Sequence, residues 1–212
     1  MDEVILLEKV VPSKNKKDAF ELHFASGEVL RCTAVQVADF ALYGGKELTS
    51  EEYEAVQAAS RLAHAKDRAA ALLAYRAMSK GELERKLVEK GETPDDSREA
   101  VEWLDRLGAL NDFEYAKSVV RHYSSKGWGA GRIKEEFYRR RIPREYWEDA
   151  LEELDGEDEK IAHFIERRMA TRGNDPKERK KTADALYRRG FSWDSIKRVM
   201  AGYYDESYED EY

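Results

Sequence analysis

Three copies of one helical pattern follow one another in this sequence, and their regular spacing constrains the fold more than any other feature. The apolar landmarks of the pattern, spaced 50 and then 49 residues apart, are Leu87, Phe137 and Leu186. Three and four residues after each landmark come a basic residue and a turn position, namely Lys90-Gly91, Arg140-Arg141 and Arg189-Gly190. Because a repeat of this length cannot bury its own apolar faces well, neighbouring repeats are expected to stack. The sequence therefore predicts a mainly α-helical protein, an elongated array of three tandem three-helix repeats.

The amino-terminal region follows a different pattern. Phe20, Leu22 and Phe24 alternate with small or polar residues, as in a strand with one buried face, and a Ser-Gly turn follows at 26–27. We expect a β-hairpin with its return strand over 28–32, a third strand over 3–9 and a short helix over 35–43. The capping box Thr49-x-x-Glu52 predicts the start of a long helix that extends to about residue 77.

These patterns set the predicted boundaries and explain the charge. Residues 1–62 form the β-hairpin and helical extension, residues 63–110, 111–155 and 156–204 form the repeats, and residues 205–212 form an acidic disordered tail. The net charge of −7 comes largely from that tail, because 37 basic and 39 acidic side chains remain without its five acids. Between residues 160 and 198, 12 basic side chains stand against 5 acidic ones, which favours an acidic partner for the third repeat.

The sequence offers no catalytic or metal-binding constellation. The four histidines, His23, His64, His122 and His163, are isolated from one another and from the single Cys32, so neither a metal site nor a cofactor site is expected. A lone cysteine excludes an internal disulfide and suits a reducing compartment. With no long apolar run and no leader-like start, we expect a cytoplasmic protein that is not an enzyme.

The glycine-rich segment 127–131 invites a comparison with phosphate-binding loops. A helix rather than a strand precedes it, and no Gly-Lys-Ser/Thr follows, so the segment is interpreted as a flexible connection between helices. Trp128, between two glycines, is expected to be exposed and available to a partner. The tryptophans in the third helix of each repeat, Trp103, Trp147 and Trp193, are expected to be buried in the core.

Basic residues supply the main indication of binding. Lys90, Arg140 and Arg189 recur at equivalent corners of the repeats and would form a ladder of positive charge if the repeats stack. The alternative is that basic side chains near helix ends only stabilise the helix dipole, which contributes about 0.3–1 kcal/mol each. The predicted partner-binding residues, which would contact protein or DNA phosphate, are Arg121, Lys126, Trp128, Arg132, Arg140, Arg141, Lys181, Arg188 and Arg189.

Several segments of the repeats resemble the RecX family, bacterial regulators of the RecA recombinase. Residues 78–87 (MSKGELERKL) are similar to the Ser-x-x-Glu-Leu-x-x-Lys-Leu segment of the first RecX repeat. Residues 108–116 (GALNDFEYA) are similar to the junction that follows it, and this is the most specific match. Residues 129–137 (GAGRIKEEF) and 186–191 (LYRRGF) resemble segments of the second and third repeats. Arg141 and Phe137 depart from the usual Gly and Leu.

The resemblance implies a non-enzymatic protein, with no cofactor, that lies in the helical groove of a RecA filament on DNA and modulates, most often inhibits, its ATPase and strand exchange. The protein would act as a monomer. The alternative that the residues leave open is an autonomous DNA-binding protein, because three-helix modules are similar to helix-turn-helix units. A general helical scaffold is the third possibility.

Overall fold

The computed structural model describes residues 4–14 and 17–203; the predicted acidic tail, 205–212, lies outside them. Helix accounts for 63% of the structure, so the predicted mainly helical fold with three three-helix repeats and a small amino-terminal sheet is confirmed. The chain divides into two compact units. The first comprises Met1–Ala77 and Leu83–Leu110, and the second comprises Met78–Glu82 and Asn111–Tyr212.

The sheet in the first unit is antiparallel, with strand order β3-β2-β1-β4. Its strands are β1 (Ile5–Pro12), β2 (Ala19–Phe24), β3 (Val29–Thr33) and β4 (Lys46–Leu48). Leu22 pairs with Leu30 and Ile5 with Leu48. The buried side chains of the sheet, which form its core face, are Leu7, Leu22, Phe24, Cys32 and Leu48. Three strands were expected; the fourth, β4, has three residues and a single buried side chain, which is too short for an alternating pattern to be visible.

Helix α1 (Ala34–Asp39) is shorter than expected, whereas α2 (Ser50–Tyr75) is the long helix that the capping box predicts. The Thr49 hydroxyl accepts a hydrogen bond from the Glu52 amide at 3.2 Å, and the Glu52 carboxylate accepts one from the Thr49 amide at 2.9 Å. Two of the free amides at the helix start are thereby satisfied.

The first repeat continues through α3 (Lys80–Glu89) and α4 (Pro94–Arg106). The second consists of α5 (Asp112–Ser124), α6 (Ala130–Arg139) and a 3-10 turn (Arg144–Tyr146) that runs into α7 (Trp147–Leu151). The third consists of α8 (Glu157–Arg172), α9 (Pro176–Arg188) and α10 (Trp193–Ala201). Side-chain caps at Thr93, Asn111, Asp175 and Ser192 start α4, α5, α9 and α10.

The middle helix of each repeat ends in the same turn, and this turn explains the three sequence landmarks. The amide five residues after each landmark donates back to the landmark carbonyl, from Glu92 to Leu87, Ile142 to Phe137 and Phe191 to Leu186, at 3.0–3.3 Å. The residue directly before each donor takes a left-handed backbone conformation, with φ of 95° at Gly91, 51° at Arg141 and 87° at Gly190. The pattern of a Schellman turn is therefore present in all three repeats, although Arg141 is not a glycine.

Each repeat of the second unit has its own core. Val119, Val120, Ile133 and Phe137 form the centre of one cluster, and Ile161, Ile165, Leu186 and Ile196 form the centre of the other. The tryptophans depart from the expectation of full burial. Trp147 is half-buried and packs on the edge of the first cluster, while Trp193 is 37% exposed. Trp103, in the first unit, is also half-buried.

Candidate partner-binding site

The glycine-rich segment is not a flexible connection but a point of close contact between two helices. The amides of Gly129 and Gly131, at the start of α6, donate to the carbonyls of Arg189 and Gly190, just after α9, at 2.8 and 2.9 Å. A Cβ at Gly129 would lie 2.5 Å from the Gly190 oxygen, and one at Gly190 would lie 2.1 Å from the Arg132 nitrogen. Only glycine allows the two backbones to approach so closely.

The equivalent positions one repeat earlier make a related contact. The Ser79 hydroxyl donates to the carbonyl of Arg140, and a Cβ at Gly81 would lie 2.9 Å from the Cβ of Arg141. Ser79 and Gly81 precede Gly129 and Gly131 by 50 residues, so the recurrence of a small residue pair was the signal that sequence reasoning overlooked. These contacts all lie within the second unit.

The close contact gathers four of the predicted binding residues into one group, the junction cluster, formed by Tyr123, Lys126, Trp128, Arg132 and Arg189. Trp128 stacks on Tyr123 with ring centroids 4.7 Å apart, and the Arg132 guanidinium lies 5.1 Å from the Trp128 ring centroid. The Lys126 ammonium lies 5.4 Å from the centroid of Tyr123. Trp128 is therefore half-buried between its neighbours, rather than exposed as expected.

Arg189 joins the cluster from the other side of the contact. Its guanidinium lies 4.6 Å from the ring centroid of Phe164 on α8, and its Nη1 approaches Gly127. Cation–π contacts fix these cations without neutralising them, because an aromatic face carries no net charge. Arg132 also pairs with Glu135, but Lys126 and Arg189 make no ion pair within residues 4–14 and 17–203. The junction cluster thus holds positive charge in place while leaving it available to an anion.

Arg140 has a largely internal role. Its guanidinium donates to the hydroxyls of Tyr115 and Tyr123 at 2.5 and 3.1 Å and to the Glu136 carboxylate at 3.3 Å, and only 21% of its side chain is exposed. Burial alone would lower the pKa of Arg140, but the two tyrosines raise it. Arg140 therefore links the tyrosines of α5 to Glu136 of α6 by hydrogen bonds.

Glu136 is the carboxylate at the centre of this network. Burial alone would raise its pKa, but hydrogen bonds from Arg139 and Tyr123, with the charges of Arg139 and Arg140, lower it from the ordinary 4.5. The Glu136 carboxylate therefore stays ionised at neutral pH and keeps the Arg140 side chain turned inward.

Four other predicted residues are not members of the junction cluster, and two of them are held in ion pairs. Arg121 pairs with Glu153 at 2.8 Å, and Lys181 pairs with Glu178 at 2.5 Å. Arg141 and Arg188 are exposed. The structure thus brings Lys126, Trp128, Arg132 and Arg189 together, and Arg140 contacts the same group through its hydrogen bond to Tyr123.

A second basic feature, the α8–α9 groove, was not among the predicted sites. This surface groove of ≈ 360 Å³ is lined by Phe164, Arg167, Arg168, Thr171, Arg172 and Arg189. The lining residues of α8 recur at intervals of three and four, which places them on one helix face. That spacing, rather than the Arg167-Arg168 dipeptide alone, was the signal available in the sequence.

Other kinds of site find little support in the described chain. In residues 4–14 and 17–203, no group of three or more His, Cys, Asp or Glu side chains could hold a metal ion. Over the same ranges, no helix combines the length and apolarity needed to cross a membrane. Burial raises the pKa of the Cys32 thiol to about 11, so this cysteine is a packed core residue.

Comparison with known proteins gives a consistent result for the three repeats. Family models described as the first, second and third three-helix domains of RecX match residues 65–104, 111–151 and 156–200. The regulatory protein RecX of Chromohalobacter salexigens is 33% identical over 137 residues, which cover 64% of this chain and 90% of that protein. The RecX of Xanthomonas axonopodis pv. citri is 36% identical over 132 residues, covering 61% and 82%.

Solved structures resemble the chain as well. A crystal structure of a regulatory protein RecX aligns with a TM-score of 0.75 at 20% identity and covers 92% of this chain and 98% of that one, which shows a shared fold. The crystal structure of RecX from Lactobacillus salivarius aligns with a TM-score of 0.60 at 26% identity and covers 67% and 96%.

Proposed function

Since this chain belongs to the RecX family, we propose that it is a non-enzymatic regulator that binds the RecA filament on DNA. In this proposal it acts as a cytoplasmic monomer, lies in the helical groove of the filament and inhibits RecA ATP hydrolysis and strand exchange. Recombination and DNA repair would thereby be restrained. Its surface contacts, rather than any reaction of its own side chains, would carry the effect.

The observation that carries this proposal is the junction cluster. Its cations come from two consecutive repeats, with Lys126 and Arg132 on one side of the contact and Arg189 on the other. Partly buried aromatic side chains with adjacent arginines are typical of residues that dominate protein–protein affinity. A filament presents the same surface many times, so several modest contacts of this kind can form on it at once. Binding to a free RecA subunit would use fewer of these contacts and would therefore be far weaker.

The proposal is tested by measuring DNA-dependent ATP hydrolysis by RecA while the full chain is titrated in at low salt. We expect the rate of hydrolysis to fall as the protein is added, and binding to pre-formed filaments to be visible by co-sedimentation. An unchanged rate, with no co-sedimentation at saturating protein, would refute the proposal.

A variant pair locates the contact. Lys126→Gln with Arg132→Gln removes two positive charges from the junction cluster, and we expect the concentration for half-maximal inhibition to rise about tenfold. The matched control is Arg98→Gln with Arg198→Gln, two exposed arginines that pair with Asp95 and Asp158 outside the cluster. Equal effects of the two pairs would show that net charge, and not this surface, determines binding.

An autonomous DNA-binding protein is the second candidate, and the α8–α9 groove is the observation that favours it. The overall charge of −7 disfavours tight binding to DNA without another partner. Titration of labelled single- and double-stranded DNA without RecA separates the two candidates. Submicromolar affinity at physiological salt would favour the second.

A further inference from the structure

We propose that the α8–α9 groove is a binding site for a phosphodiester group of nucleic acid. The inference deepens the proposed function, because it assigns the contact with the DNA of the filament to a defined groove in the third repeat. It rests on the proposed function only in taking that DNA to belong to the RecA filament. The groove is distinct from the junction cluster, although Arg189 lies at the edge of both.

The first argument is the concentration of like charge on one helix face. Arg168 and Arg172 are four residues apart on α8, a spacing at which two positive side chains destabilise an isolated helix. Arg167 borders the same groove, and Arg189 approaches from the turn after α9. An anion bound between these side chains would attract each of them and so offset their mutual repulsion.

The second argument is that the Glu178 carboxylate faces two of the groove arginines, Arg168 and Arg172, and is only loosely paired with Arg168. Glu178 pairs with Arg168, but their closest atoms are 3.8 Å apart, and both the Arg168 Nε and the Glu178 Oε2 lack a hydrogen-bond partner. The other oxygen of Glu178 accepts a hydrogen bond from Lys181. In the described part of the chain, Arg167, Arg172 and Arg189 have no ion pair. Arg198 on α10, which is also exposed, pairs with Asp158 at 2.6 Å.

The third argument concerns the shape of the anion. A carboxylate is planar, whereas the four oxygens of a phosphodiester, two of them unesterified, surround the phosphorus tetrahedrally, so guanidinium groups can approach it from more than one direction. The groove offers guanidinium groups from α8 on one side and from Arg189 on the other. Contact with Phe164 holds the Arg189 side chain at this edge, so fewer rotamers are lost on binding.

The test uses the full chain and a labelled single-stranded oligonucleotide, with binding followed by fluorescence anisotropy without RecA over a range of low salt concentrations. Arg167→Gln with Arg172→Gln removes two exposed cations that no described ion pair anchors. We expect affinity to fall about tenfold and the slope of log K against log salt to decrease by about 1.4, or about 0.7 for each lost phosphate contact. The control pair Arg98→Gln with Arg198→Gln should change the affinity less than about twofold.

Competition with poly-glutamate distinguishes phosphate from carboxylate. We expect poly-glutamate to displace the oligonucleotide poorly at equal concentration of charge. Equal displacement, or equal losses in the groove pair and the control pair with both folded by circular dichroism, would overturn the proposal. Its failure is separable from failure of the proposed function. If the wild-type protein inhibits RecA but its DNA binding does not depend on the groove arginines, the groove inference alone is refuted, whereas an absence of any effect on RecA refutes the regulator.

Discussion

Replacing Gly190 with alanine tests the close contact between the turn after α9 and the start of α6 in the second unit. Gly190 has a φ of 87°, and a Cβ built there would lie 2.1 Å from the backbone nitrogen of Arg132 and 2.7 Å from its Cβ. Because backbone cannot yield as a flexible side chain can, the start of α6 and the end of α9 must separate. Two hydrogen bonds, from Gly129 to Arg189 and from Gly131 to Gly190, would then be lost.

The size of the effect follows from these two costs. A left-handed conformation costs a non-glycine residue about 1–2 kcal/mol. Each of the two backbone hydrogen bonds contributes about 1 kcal/mol net, so their loss adds about 2 kcal/mol. We therefore expect Gly190→Ala to lower the free energy of unfolding by about 3–4 kcal/mol.

The measurement is urea unfolding followed by tryptophan fluorescence, since Trp128 lies directly beside the contact. Gly127→Ala is the matched control, because Gly127 also has a positive φ, of 73°, but its nearest neighbouring atom is 3.6 Å from the added Cβ. It should lose only the conformational part, about 1–2 kcal/mol. If the two variants are destabilised equally, the close approach does not contribute to stability and the reasoning is refuted.

Two further predictions concern the network beside this contact. Arg141→Gly should raise the free energy of unfolding by about 1 kcal/mol, because glycine relieves a left-handed φ of 51°; an unchanged urea midpoint would contradict this. The pKa of Glu136 is lowered in the folded state, so its stabilising contribution is complete above the unfolded value near 4.5 and is lost as pH falls through the folded value. Below about pH 4.5 the wild type should lose stability more steeply than Glu136→Gln, and parallel profiles from acid titrations of unfolding would contradict the assignment.

Much of the fold could be predicted because its signals are local. The caps at Thr49 and Thr93 and the turn positions after Leu87 and Leu186 depend on residues within a few positions of one another. Strand β4 escaped prediction because its pairing with β1 depends on residues some forty positions away.

The binding residues were harder to predict because orientation depends on tertiary contacts. The role of Gly129 and Gly131 is fixed by Gly190, about sixty residues later, so their neighbours in sequence suggest only a flexible connection. Arg140 and Arg189 occupy equivalent sequence positions, yet one turns inward to tyrosine hydroxyls and the other lies on an aromatic ring. The presence of an arginine at a given sequence position does not indicate which of these two orientations its side chain takes.

The turn that follows each middle helix has a consequence for how such proteins diverge. In the second unit, main-chain atoms make the joint between the end of α9 and the start of α6. The joint therefore requires the left-handed turn at Gly190 and the small residues Gly129 and Gly131, but few other particular side chains. Surface side chains on either side of this joint can then change while the main-chain contact between the second and third repeats is kept. A joint of this kind tolerates extensive sequence change, such as that in the structural match in which four of every five aligned residues differ at a TM-score of 0.75.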